Sequence, residues 1–169
     1  YLYDGNDILF ISNYVDDSET TDNILIPNIY KFDGNNRNQI KEQISGNYWV
    51  TSVTYNNTKE IFAYSLRTIR RNLQEFNLGN SIIMLAEQKG GEITRIFEFT
   101  WNNKPENINI THPSFNKTGN RMYFASDMPG GFGGMDIFYS DFDGNSWSVP
   151  VNLGEKINTQ FNEVSPFIS

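Results

Sequence analysis

The chain has 169 residues, enough for one ordinary domain, and is 15% aromatic with a formal net charge of −7. A surface of that sign repels phosphate backbones, which argues against nucleic-acid binding through a basic footprint. The lack of cysteine excludes disulfide frameworks, thiolate nucleophiles and cysteine-based zinc sites, and no apolar run approaches the roughly 20 residues of a membrane-spanning helix.

Phe, Tyr, Ile and Thr suit the half-buried surface of a pleated sheet, and Gly, Asn and Asp recur as turn formers, so the composition leans to all-β. In chain order, the first pattern is Tyr3-Asp4-Gly5-Asn6-Asp7-Ile8-Leu9-Phe10-Ile11-Ser12. An aromatic ends a short strand, a polar turn follows, and an apolar strand ends in a small residue: the grammar of a hairpin. A further strand is expected over 27–32 with a turn at Asp33-Gly34, and Tyr48-Trp49-Val50 leads into the second copy. That copy runs through Tyr55, Asn56, Ile61 and Ser65, continues at 81–86, and ends in an outer strand over 93–99. Between them lies an insertion, 66–80, in which Leu66, Ile69, Leu73 and Phe76 recur at helical spacing; the spacing predicts one short amphipathic helix over 66–77.

The third copy is the fullest. It predicts an inner strand from Ile110 to Phe115, a second from Arg121 to Ser126, a glycine-rich connection at 128–134 and a third strand from Asp136 to Asp141. A turn at Asp143-Gly144 then leads to an outer strand around 148–153, and 154–162 crosses to a fourth copy that begins at Val164. The anchors Tyr3, Tyr55, Phe115 and Phe167 stand 52, 60 and 52 positions apart. Such a period fits a four-stranded propeller blade and exceeds most helical solenoid repeats. The expected fold is therefore an all-β propeller fragment of about three four-stranded antiparallel blades (1–50, 51–109 and 110–161) plus one extra inner strand at 162–169. Both ends being inner strands, the array reads as severed, with the remaining blades expected from the same longer polypeptide.

The run Asp127-Met128-Pro129-Gly130-Gly131-Phe132-Gly133-Gly134-Met135-Asp136-Ile137-Phe138 resembles the signature of WD40-like repeats in TolB-type propellers. It is most similar to copies carried by OmpA-family cell-envelope proteins of Bacteroidota. Residues 147–154, Ile157-Asn158-Thr159 and 163–167 continue the pattern, firmly over 110–169 and more loosely over 1–109. The family's Ser-Pro-Asp-Gly turn is replaced here by Asn116-Lys117-Thr118-Gly119 and by Asn56-Asn57-Thr58-Lys59, which weakens any chemical role for that turn. The resemblance implies a periplasmic or outer-membrane-associated protein that binds other cell-envelope proteins, some relatives serving type IX secretion and gliding.

Each candidate site has a plain alternative beside it. The glycine-rich loop lacks the following helix and Lys-Ser/Thr of a phosphate cradle, so it is a strand connection whose Met128 and Phe132 are expected as exposed apolar tips for partner binding. His112, the only histidine, lacks company for a triad or a metal site and is expected to be hydrogen-bonded locally at the start of an inner strand. Asp127, Asp136, Asp141 and Asp143 lack the spacing of a calcium loop, and turn-forming Asp explains them better. Residues 140–147 are close to the Asp-box of sialidase-like propellers, a structural turn, and Trp147 is expected as an exposed aromatic for partner or glycan contact. Arg67, Arg70 and Arg71 read as a solvated face, with an acidic partner as the alternative. No catalytic residue, metal site or cofactor is expected. The leading expectation is a non-catalytic protein-binding scaffold. The alternatives are a propeller gating a larger peptidase, which needs a Gly-x-Ser-x-Gly elbow this chain lacks, and a glycan- or peptidoglycan-binding module.

Overall fold

A computed structural model describes residues 2–4, 7–12, 28–32, 37–39, 48–56, 58–72, 75–90 and 92–168. The expected turns at Gly5-Asn6 and Asp33-Gly34 lie outside the described residues, which contain no helix. Among the described residues, twelve strands form three four-stranded antiparallel sheets, each with its strands side by side in chain order. The first sheet holds β1 (Leu2–Asp4), β2 (Asp7–Ser12), β3 (Asn28–Phe32) and β4 (Arg37–Gln39). The second holds β5 (Tyr48–Asn56), β6 (Ile61–Asn72), β7 (Glu75–Lys89) and β8 (Glu92–Glu98). The third holds β9 (Ile110–Phe115), β10 (Arg121–Ser126), β11 (Asp136–Asp141) and β12 (Val151–Asn152).

The third sheet matches the pattern in its sequence strand for strand. The insertion does not: the helix expected over 66–77 is replaced by a continuation of β6 and β7, whose register runs Arg67↔Ser81, Ile69↔Leu78, Arg70↔Asn77, Arg71↔Phe76 and Asn72↔Glu75. The register slips by one residue between Arg67 and Ile69, opposite Gly79-Asn80, so these two turn-like residues form a bulge and do not end a helix.

Alternation explains how the second sheet comes to be buried on both sides. Phe62, Tyr64, Leu66 and Ala86 join Val50 in one core cluster, against which Ile11 of the first sheet packs. Their neighbours Ala63, Ile83 and Leu85 join a second cluster with Ile110, Phe115, Met122, Phe124 and Phe138 of the third sheet. At about 1.5–3 kcal/mol for each large apolar side chain fully removed from water, these two layers dominate the stability. Each later sheet leans its first strand on the sheet before it: β5 lies against β2 and β3, and β9 lies against β5, β6 and β7.

The hairpin turns at the far ends of the first strands also interlock. Asn56 Nδ2 donates to the carbonyls of Asn116 at 2.9 Å and Lys117 at 3.2 Å, tying equivalent turns of neighbouring sheets together. Gly119 sits in the later turn at φ 68°, and a side chain there would press on Asn56 and Lys59. No described helix is long and apolar enough to cross a membrane.

Candidate functional site

The glycine-rich loop joins β10 to β11 and folds around a carboxylate. Asp136 opens β11 and is buried. Its two oxygens accept the N–H of Phe132 at 2.6 Å and of Gly133 at 3.1 Å, and Asn152 Nδ2 donates to it at 2.9 Å. A buried charge is tolerable only with such partners. The loop's inward N–H groups are thus already occupied by the chain's own carboxylate, which leaves no phosphate cradle.

A second segment lies along the outside of this loop. Gly134 N–H donates to the Phe161 carbonyl at 3.0 Å, Glu163 N–H to the Met135 carbonyl at 2.6 Å, and Met135 N–H to Asn162 Oδ1 at 2.8 Å. The segment is itself held by Glu163, whose carboxylate accepts from Thr159 N–H and Oγ1. Residue 133 must be glycine because a Cβ would overlap the carbonyl oxygens of Phe161 and Thr159. Two paired runs of chain result, each carrying an exposed aromatic: Phe132 at 51% and Phe161 at 69% relative exposure.

Of the expected contact residues, Phe132 is therefore exposed, while Met128 and Trp147 are not. Met128 is only 8% exposed and belongs to the core between the second and third sheets. Its N–H donates to Ser126 Oγ at 3.1 Å, a tight turn at the end of β10 from which the side chain joins that core. Trp147, also 8% exposed, pairs with Phe142 across the Asp143-Gly144 turn. Its indole rests on Phe142, Phe99 and Phe115 with ring centroids 5.1, 5.7 and 6.4 Å away. Glycan contact through Trp147 has no exposed ring to use. Phe161, which sequence reasoning passed over, was signalled only by its place in an otherwise largely polar crossing segment.

The acidic residues go to separate structural tasks. Asp127 accepts from the N–H and side-chain amide of Asn109 at 2.6 and 2.7 Å. Asp141 takes a two-pronged bond from Arg121 at 2.6 and 2.8 Å, which holds its carboxyl below the usual carboxylate range. Asp143 accepts the N–H groups of Ser146 and Asn145, which lowers its pKa as well and closes its own turn. Among the described residues no group of three or more His, Asp or Glu could hold a metal ion. His112 departs from the expectation of a local hydrogen bond: its Nδ1 is buried without a partner, at a residue with φ 53°, and burial lowers its pKa.

Two asparagines that the sequence did not single out perform one repeated task. Asn102 Oδ1 accepts Ile83 N–H at 2.9 Å while its Nδ2 donates to the Ile83 carbonyl at 2.6 Å. Asn158 does the same to Ile137, at 2.8 and 2.9 Å. Each carboxamide pairs with the third strand of its sheet just past the point where the outer strand stops, where Phe99 N–H and Leu153 N–H supply the last backbone bonds to Ile83 and Ile137. The signal was present as an Asn shortly after the outer strand in both crossings, but spacings of 19 and 21 residues to the partner hide it from any fixed motif.

Arg67 Nε donates to the Gly79 carbonyl at 3.1 Å, bracing the bulge. Arg70 and Arg71 occupy register positions opposite Asn77 and Phe76 on the extended part of the β6–β7 hairpin. Compared with known proteins, the chain matches no family model and no curated protein.

Proposed function

We propose that the chain is part of a β-propeller, completed by further blades of the same longer polypeptide, that acts as a non-catalytic protein-binding scaffold in a bacterial cell-envelope assembly, with type IX secretion as the setting. The propeller reading is supported by three meanders of identical strand order and by the first strand of each later sheet leaning on the sheet before it. The periplasmic, outer-membrane-associated setting follows from the WD40-like repeat resemblance alone.

The observation that carries the binding role is the double loop. Backbone bonds from Gly134 to Phe161 and from Glu163 to Met135 present Phe132 and Phe161 to solvent on a fixed frame, so ordering them on binding costs little entropy. Aromatic side chains on such a frame are the usual anchors of protein interfaces. The test is affinity purification from native membranes with the tagged full-length protein and its F132S/F161S double variant. A partner recovered by the first and lost from the second, at unchanged melting temperature, supports the role. Equal recovery by both removes the double loop from consideration.

A further inference from the structure

Each exposed aromatic of the double loop stands on a turn that a carboxylate closes. Asp136 accepts the N–H of Phe132 itself. Glu163 accepts from Thr159, whose Oγ1 in turn accepts the N–H of Phe161 at 3.1 Å. A third carboxylate, Asp127, lies exposed at the start of the glycine-rich loop and accepts from Asn109. Every donor to these three groups is neutral: backbone N–H groups, the amides of Asn109 and Asn152, and the hydroxyl of Thr159. Among the described residues none of the three forms an ion pair.

Neutral donors stabilise a carboxylate but leave its charge in place, unlike Arg121, which offsets the charge of Asp141. The imbalance extends over the region: residues 122–169 hold six carboxylates and one lysine, a net charge of −5 within a chain of −7. Two apolar rings, 51% and 69% exposed, therefore rise out of a negative field. A purely apolar partner closing over them would strip water from the carboxylates and return no compensating charge, which is costly. Phosphates and acidic peptides are repelled. A guanidinium meets both demands, because its planar face stacks on an aromatic ring and its positive charge is permanent.

The geometry points to the double loop as a docking site for a basic, arginine-bearing segment of a partner protein, which rests on the binding role proposed above and names the chemistry bound. Arginines stack against Phe132 and Phe161 within the field of Asp127, Asp136 and Glu163, and apolar residues between them cover the ring edges. Asp136, buried beneath its loop, acts through its field alone. A second copy of this chain docked by the same face fits poorly, since it brings like charges together.

The test uses the full-length protein and a labelled short peptide alternating Arg and Leu, followed by fluorescence anisotropy. Two control peptides replace Arg with citrulline, its neutral isostere, or with Glu. Saturable binding of the Arg/Leu peptide is expected, with both controls failing to bind. D127N/E163Q, which keeps a carbonyl oxygen for the same donors, should weaken it about tenfold or more, and so should F132S/F161S, each at unchanged melting temperature. D143N removes a charge at the far end of β11, about 17 Å away at 3.4 Å per residue and about two Debye lengths at physiological salt, and should leave binding unchanged. Equal binding of the citrulline peptide, wild-type affinity in either double variant, an equal loss in D143N, or no saturable binding overturns the assignment. The citrulline comparison uses wild-type protein alone, so it decides even where a variant is unstable. If the Arg/Leu result is negative while F132S/F161S still loses its native partner, only the arginine assignment falls.

Discussion

The β6–β7 and β10–β11 connections occupy equivalent places in successive sheets, yet they solve the same problem in opposite ways. Between β10 and β11 the chain leaves the sheet at once, and every turn of the loop is fastened: N–H groups of Phe132 and Gly133 to Asp136, and the outer run to Gly134 and Met135. Between β6 and β7 the strands simply continue, pairing with each other from Ile69↔Leu78 to Asn72↔Glu75. The first design spends side chains and glycines on rigidity and presents two aromatic rings. The second lengthens the strands themselves. A connection closed by its own residues presents side chains on a fixed frame, whereas a lengthened hairpin extends the ladder of its sheet.

The contrast breaks most sharply at Gly133. G133A forces a Cβ into two backbone carbonyls that cannot swing aside, and a loss of about 3 kcal/mol or more in denaturant unfolding is expected. A melting curve like wild type would mean that the outer run does not lie where it is drawn.

Next in size are the carboxamides. N158L and N102L each leave the buried N–H of Ile137 or Ile83 without a partner, while the carbonyls keep the N–H groups of Leu153 and Phe99, an expected loss of about 1–3 kcal/mol apiece. Chemical denaturation of the two variants should give similar values, since both side chains make the same two bonds. A large cost for one and none for the other would end the equivalence of the two crossings.

Replacing 69–78 with Asn-Gly, a favoured two-residue hairpin turn, should change stability by no more than about 1 kcal/mol, because among the described residues only two strands pair there and a two-stranded ribbon is marginal in water. An unfolded product would show that the extension belongs to the body of the second sheet.

The smallest effect lies at the opposite end of β10 and β11, where Arg121 and Asp141 pair near the surface. Asp141 is held below its unfolded pKa, so its contribution is present above that value, near pH 3.9, and is lost as pH falls through the folded value. With both side chains more than a third exposed, solvent limits the contribution to about 0.5 kcal/mol. R121A should flatten the stability–pH curve by that amount at its acidic end.

Much of the fold was legible where strand alternation and turn chemistry agree. The strands from Ile110 to Asp141 are set by Phe115, Met122, Phe124 and Phe138 on one face and by turns at Gly119 and Gly144 with positive φ. The extension of β6 and β7 was illegible because Leu66 and Ile69, three apart, fit a helical face equally well. In the structure Leu66 is in the core, and Ile69 lies past the bulge, in register with Leu78. For the candidate site, exposure was the failing point. Met128 sits beside Pro and Gly and Trp147 follows a polar turn, both surroundings typical of the surface, yet each is drawn under by aromatic neighbours from elsewhere in the chain. Phe132 escapes that pull because its N–H is committed to Asp136.

The carboxamides of Asn102 and Asn158 have one more consequence. A single side chain that imitates a peptide group makes the outermost strand dispensable over part of its length, so that strand can shrink to Val151–Asn152 in one sheet and extend over Glu92–Glu98 in another without stranding the backbone inside it. The rim of such a molecule is free to drift in sequence and length while its interior hydrogen bonding stays complete.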